Sequence, residues 1–79
     1  MSDPSELLRA HGVPVTAQRV AVLKAVAARP HGTADAIAEE VRASIGTISR
    51  QAVYNVLGVL TEKRLLRRIH PAGSPAMYE

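Results

Sequence analysis

Between Ser49 and Arg64 lies a stretch in which polar chemistry and helical spacing coincide. Gln51, Tyr54, Asn55 and Gly58 recur at spacings of three and four, so they share one face of a helix, with Arg50 beside them at its amino end. Two carboxamides, a phenol and a guanidinium on one outward face are poorly explained by folding alone. Carboxamides pair bidentately with adenine, an aromatic ring can lie against a thymine methyl, and a guanidinium suits phosphate or guanine. Gln51, Tyr54, Asn55 and Arg50 are therefore candidate readers and anchors of duplex DNA, with Ser49 at the start of the same helix.

The opposite face has to hold this one in place. Val53, Val56, Leu57 and Leu60 fall at i, i+3, i+4 and i+7, which commits that face to a core. Upstream, Asp3-Pro4-Ser5-Glu6 reads as a helix start, with Asp3 as N-cap, Pro4 in the first turn and Glu6 placed for a capping box; Gly12 ends that helix. Thr16 caps a second helix from Ala17 to about Arg29, with Val20, Leu23, Val26 and Ala27 as its buried stripe. Pro30-His31-Gly32 breaks the chain, and Thr33 caps a third helix, Ala34 to about Ser44, with Ile37, Val41 and Ile45 inward and Asp35, Glu39 and Arg42 outward. Gly46-Thr47-Ile48 is a short turn before the Ser49 cap, so the third and fourth helices form a helix-turn-helix.

After Arg64 the pattern changes. Leu65 to His70 is expected as a strand, Pro71 to Pro75 as a turn, and Ala76 to Glu79 as a returning strand. The fold class is mainly α with a small β-hairpin, a winged helix-turn-helix. Its 79 residues form one domain, too small for a separate catalytic cleft beside its core. No nucleophile, base and orienting group recur at a convincing spacing, so the chain is not expected to be an enzyme.

The chain contains no cysteine, which removes disulfides and thiolate metal sites. No apolar run approaches the ~20 residues of a membrane span, and a cytoplasmic protein is expected. The net charge of +3 is unevenly spread. From Val41 to Tyr78 the basic residues are Arg42, Arg50, Lys63, Arg64, Arg67 and Arg68, against Glu62 as the one acid. That asymmetry suggests a side facing a polyanion, although a solvated helix face would read the same. Arg67 and Arg68 on the wing suit phosphate, which positions a protein on DNA without carrying sequence information directly. Thr16 is a cap whose helix amino terminus can also present amides to phosphate; Arg19 beside it can do the same or pack its stem on the core. A lone histidine after a proline, as at His31, is ordinarily a surface or capping residue, because a metal site needs three or four convergent donors.

Several blocks together carry a family resemblance. Thr16-Ala17-Gln18-Arg19, Pro30-His31-Gly32-Thr33-Ala34, Ser49-Arg50-Gln51-Ala52-Val53-Tyr54-Asn55-Val56-Leu57 and Ser74-Pro75-Ala76-Met77-Tyr78-Glu79 resemble the amino-terminal DNA-binding domain of the Fur (ferric uptake regulator) family. The Ser-Arg-Gln-Ala-Val-Tyr form and the Pro-His segment look closest to the branch that represses catalase-peroxidase genes.

The resemblance implies a metal- or peroxide-responsive repressor that binds an A/T-rich inverted-repeat operator as a homodimer. It also implies a dimerisation and metal-binding domain that residues 1 to 79 do not include. Tyr54 matches the family's recognition-helix tyrosine, and His31 and Glu79 match two ligands of its regulatory site. Iron, zinc or manganese would then be held in the full-length protein, and not tightly by this chain alone. Asn55 stands where many members have arginine, and Pro14 where many carry a minor-groove lysine, so base preference departs from the family pattern. The competing expectation, drawn from the exposed Tyr54 face, is a winged-helix module that binds another protein rather than DNA.

Overall fold

The computed structural model describes residues 3–79. Its elements in order are α1 (Pro4–Ala10), α2 (Ala17–Ala28), β1 (Gly32–Thr33), α3 (Ala34–Ile45), α4 (Arg50–Glu62), β2 (Arg68–Ile69) and β3 (Met77–Tyr78). The strands form one antiparallel sheet in the order β1-β3-β2, with Gly32 and Arg68 both opposite Tyr78, and Thr33 and Ile69 both opposite Met77.

Side-chain caps set all four helix starts. Thr16 Oγ1 accepts from the Arg19 amide at 3.1 Å, Thr33 Oγ1 from Ala36 at 3.2 Å, and Ser49 Oγ from Ala52 at 3.1 Å. Each satisfies one amide that the first helical turn leaves without a partner. Asp3 caps α1 by accepting from the Ser5 amide at 3.1 Å. The expected capping box is not completed, since Glu6 remains exposed and makes no return bond among the described residues. At the other end of α3, Gly46 takes a φ of 81°, a region where a side chain would be strained, and its N–H closes on the Arg42 carbonyl at 2.9 Å.

The core gathers from all four helices and the sheet. Leu8, Val22, Ile37, Val41, Val53, Leu57 and Leu60 are fully buried, and Ile48, Leu66 and Tyr78 close its edges. No polar or charged side chain is buried among the described residues. Ile48 and Val53 take the positions of a hydrophobic staple, just before the cap and in the second turn, so the entry angle of α4 is pinned from the core side.

The inner face of α2 is broader than a single stripe. Ala21, Val22, Leu23, Ala25 and Val26 are buried, Val20 is half-buried and Ala27 is exposed. The helix packs against α1, α3 and α4 at once, so a period that assumes one neighbour misplaces its boundary. Ile45 is likewise not inward but 38% exposed. It is the last residue of α3 and lines a shallow groove with Val15, Val20 and Lys24.

The wing is shorter at one end and wider overall than a hairpin reading implies. Arg64 adopts φ 64°, and the Leu65 and Leu66 amides both turn back onto the Leu60 carbonyl, at 2.9 and 3.3 Å. These two leucines therefore finish α4, with Leu66 delivered into the core, and the strand is left with Arg68–Ile69. The third strand, β1, has no counterpart in the sequence pattern. A Cβ at Gly32 would lie 2.9 Å from the Arg29 carbonyl oxygen, so the glycine lets the chain fold tightly off α2 and into the sheet.

Candidate nucleic-acid interface

The buried face of α4 fixes the orientation of its outer face. With Val53, Val56, Leu57 and Leu60 locked into the core, Arg50, Gln51, Tyr54, Asn55 and Gly58 are all exposed. The two aromatics of the chain divide accordingly: Tyr78 is 7% exposed, whereas Tyr54 is 44% exposed. Tyr54 is thus the aromatic ring the fold does not need for its core.

The side chains on this ridge are partly organised. Gln51 Nε2 donates to Asn55 Oδ1 at 3.0 Å across one turn. Arg50 Nε lies 3.3 Å from Asp35 Oδ1 in the first turn of α3, an exposed pair of little energetic weight that nonetheless directs the guanidinium. The helical spacing of Asp35 marks it only as a solvent-facing acid and does not reveal this partner. Ser49 Oγ accepts the Ala52 amide to cap α4, which leaves its O–H as a donor at the helix start.

A cleft runs along each side of the ridge. One lies between the start of α2 and α4 and is lined by Thr16, Gln18, Arg19, Ala52, Asn55, Val56 and Val59. Here Arg19 Nη1 donates to the Pro14 carbonyl at 2.9 Å, holding the guanidinium against the link that precedes α2. Thr16, Arg19 and Asn55, far apart in the chain, thereby border one cavity. The other cleft lies between α4 and the wing and includes Asp35, Tyr54, Arg68, His70 and Tyr78. Tyr54 and Arg68 both border it. Gln18 adds a further carboxamide to the first cleft, which its place in the first turn of α2 does not announce.

The wing arginines part company. Arg68 borders the α4 cleft, while Arg67 is paired through Nη2 with Glu79 Oε1. Glu79 Oε2 in turn contacts His31 Nε2. His31 has φ 64°, and its amide donates to the Tyr78 carbonyl at 3.1 Å, so the backbone of the β1 approach carries the ring to the end of β3. The Arg67 hydrogen bond, with the charges of Arg67 and His31, holds the Glu79 carboxyl below its ordinary range, against the opposing effect of partial burial.

His31 and Glu79 are thus brought together, as two adjacent nitrogen and oxygen donors. Such donors suit zinc, iron or manganese. No cluster of three or more His, Cys, Asp or Glu side chains able to hold a metal ion occurs among the described residues. Two donors, one already shared with Arg67, do not close a coordination shell.

Helix-turn-helix, capped recognition-type helix and three-stranded wing together define a winged-helix domain. The chain belongs to the Ferric uptake regulator family, whose sequence model matches residues 10–79. It is 49% identical over 77 residues to transcriptional regulator FurA of Mycobacterium tuberculosis, covering 98% of this chain and 52% of that protein. It is 43% identical over 77 residues to ferric uptake regulation protein 1 of Mycolicibacterium fortuitum, covering 98% and 48% respectively. The chain therefore spans about half the length of the curated relatives it matches. In fold it resembles the ferric uptake regulator of Vibrio cholerae, with a TM-score of 0.85 at 24% identity over 98% of this chain and 60% of that one. No helix among the described residues is long and apolar enough to cross a membrane.

Proposed function

We propose that this chain is the DNA-binding domain of a Fur-like, metal- or peroxide-responsive transcriptional repressor that acts in the cytoplasm. Helix α4 enters the major groove of an A/T-rich inverted-repeat operator, and Tyr54, Gln51 and Asn55 face the bases. Arg50, Arg68 and Arg19 lie where they can meet the flanking phosphates, with the α2 amino terminus at Thr16 adding backbone amides. Repression follows from occupying a promoter. A homodimer of the longer protein would place two such helices about one helical turn apart.

The observation that carries this reading is the exposed ridge of Gln51, Tyr54 and Asn55 between two clefts, one bordered by Arg19 and the other by Arg68. A ridge that offers base-compatible side chains between cations matches the shape and charge of a major groove with a backbone on either side. Iron, zinc or manganese would be held in part by His31 and Glu79, with the remaining donors coming from outside the described residues. A metal so bound would supply charge at the sheet end. His31 and Glu79 would contribute the ring nitrogen and the carboxylate, and Arg67 would have to yield its place on Glu79.

The test is the salt dependence of binding to duplex DNA. Neutralising about three phosphates with these arginines gives a slope of about −2.7 in log affinity against log salt. Absence of DNA retention, with a protein partner held at a flat salt response, would instead support a protein-interaction module using the face around Tyr54.

A further inference from the structure

The carboxamides of Gln51 and Asn55 are not two independent readers. Both are exposed, one turn apart on the ridge, and Gln51 Nε2 donates to Asn55 Oδ1 at 3.0 Å. A carboxamide has two N–H donors and an acceptor oxygen. Once this bond is made, the Asn55 oxygen faces Gln51 and its amino group is turned outward to donate, while the Gln51 oxygen is left to accept beside the second N–H of its own amide. Either side chain alone could rotate its amide to offer either group, and would read ambiguously. Joined, each fixes the polarity of the other.

We propose that Gln51 and Asn55 form one reading unit for two neighbouring base positions. Asn55 Nδ2 takes a base that shows an acceptor in the major groove: a purine N7, guanine O6 or thymine O4. Gln51 Oε1 takes one that shows an amino group, adenine N6 or cytosine N4. The bond also holds two flexible side chains in the conformation used for contact, which lowers the ordering cost of binding. Asn55 then does two things: it contacts one base directly and positions Gln51 for the next. Its place at the rim of the cleft with Thr16 and Arg19 sets it beside the phosphate-facing side of the ridge.

This inference rests on α4 being a DNA-reading helix, and the experiment separates the two. The chain, Gln51→Ala, Asn55→Ala and the double variant are each used to select duplexes from a randomised library, and affinities are then measured on the duplex the unsubstituted chain selects. Both positions are exposed and alanine is a good helix former, so the variants keep the fold. The expected result is that Asn55→Ala relaxes two neighbouring positions of the selected motif rather than one. Each single variant should lose affinity about tenfold, and the double variant little more than either single. If the unsubstituted chain enriches a motif but each single variant relaxes one separate position, or none, or if the double loss is the product, about a hundredfold, the reading unit is overturned while DNA reading stands. If the unsubstituted chain enriches no motif, the DNA reading falls and takes the unit with it.

Discussion

Arg67 and Glu79 are joined twice across the end of the sheet. The Arg67 amide donates to the Glu79 carbonyl at 2.8 Å and the Glu79 amide returns to the Arg67 carbonyl at 3.0 Å, while their side chains form an ion pair. The Glu79 carboxyl is depressed chiefly by its hydrogen bond from Arg67. A group whose acidity is greater in the folded state stabilises that state in its charged form. The contribution is therefore complete above the ordinary value of 4.5 and disappears as pH falls through the lowered folded value. The thermal midpoint of Glu79→Gln should lie below that of the unsubstituted chain at neutral pH, and the two should converge on acidification below 4.5. A constant gap down to the acid limit would mean that the carboxylate charge is not what matters.

Arg67 and Arg68 should differ in their effect on DNA. Neighbouring residues on an extended chain point to opposite sides, and here one meets Glu79 while the other borders the cleft beside Tyr54. Arg68→Ala is expected to weaken binding to specific and random duplex alike and to flatten the salt slope by about 1. Arg67→Ala should change that slope much less, because its guanidinium is already engaged. Equal flattening by both would show that the Arg67 pair opens on DNA.

Much of this arrangement is legible before any coordinates. The three-four spacing of Val53, Val56, Leu57 and Leu60 puts all four in the core and therefore turns Gln51, Tyr54 and Asn55 outward. Thr16, Thr33 and Ser49 cap where their side-chain chemistry says they should. What is lost is tertiary. Two residues, Gly32 and Thr33, are too few to show a strand period, and β1 exists only because β3 lies beside it. The left-handed turn at Arg64 cannot be read from an arginine, and it is what takes Leu65 and Leu66 away from the wing. Asp35 and Arg50 are on different helices, so neither sequence neighbourhood announces the pair. The divergence of Arg67 and Arg68 was available from strand alternation. The meeting of His31 with Glu79 was visible only through family resemblance.

Core and edge substitutions should separate cleanly. Leu57 is fully buried, and Leu57→Ala is expected to cost about 2–5 kcal/mol from lost transfer energy and the cavity left behind. Ile45, at the end of α3 and 38% exposed, should lose less than about 1 kcal/mol on truncation to alanine. Urea unfolding of both variants checks the contrast. A large loss at Ile45 would mean that the groove it shares with Val15 is part of the core.

The two tyrosines give a similar division between folding and reading. Tyr54→Ala should weaken binding to an A/T-rich inverted repeat by about 1–3 kcal/mol, with little change on random duplex. Its thermal midpoint should be near that of the unsubstituted chain, since the ring is not part of the core. Tyr78→Ala, by contrast, removes a core residue and should act through stability on every duplex equally. Equal loss by Tyr54→Ala on both duplexes would remove it from base reading.

Gly58 is the residue of α4 whose presence the fold does not explain. It lies inside the helix, where glycine costs about 1 kcal/mol relative to alanine, and a Cβ built there meets nothing within 4 Å. No packing demand offsets that cost, and the residue lies on the same exposed face as Gln51, Tyr54 and Asn55. Gly58→Ala is therefore expected to stabilise the domain by about 0.5–1 kcal/mol in chemical denaturation. If glycine is there to let a duplex lie close to the helix, the same variant binds the selected operator more weakly despite its greater stability. A stabilised variant with unchanged affinity would place Gly58 beyond the edge of the contact surface and confine reading to the first two turns of α4.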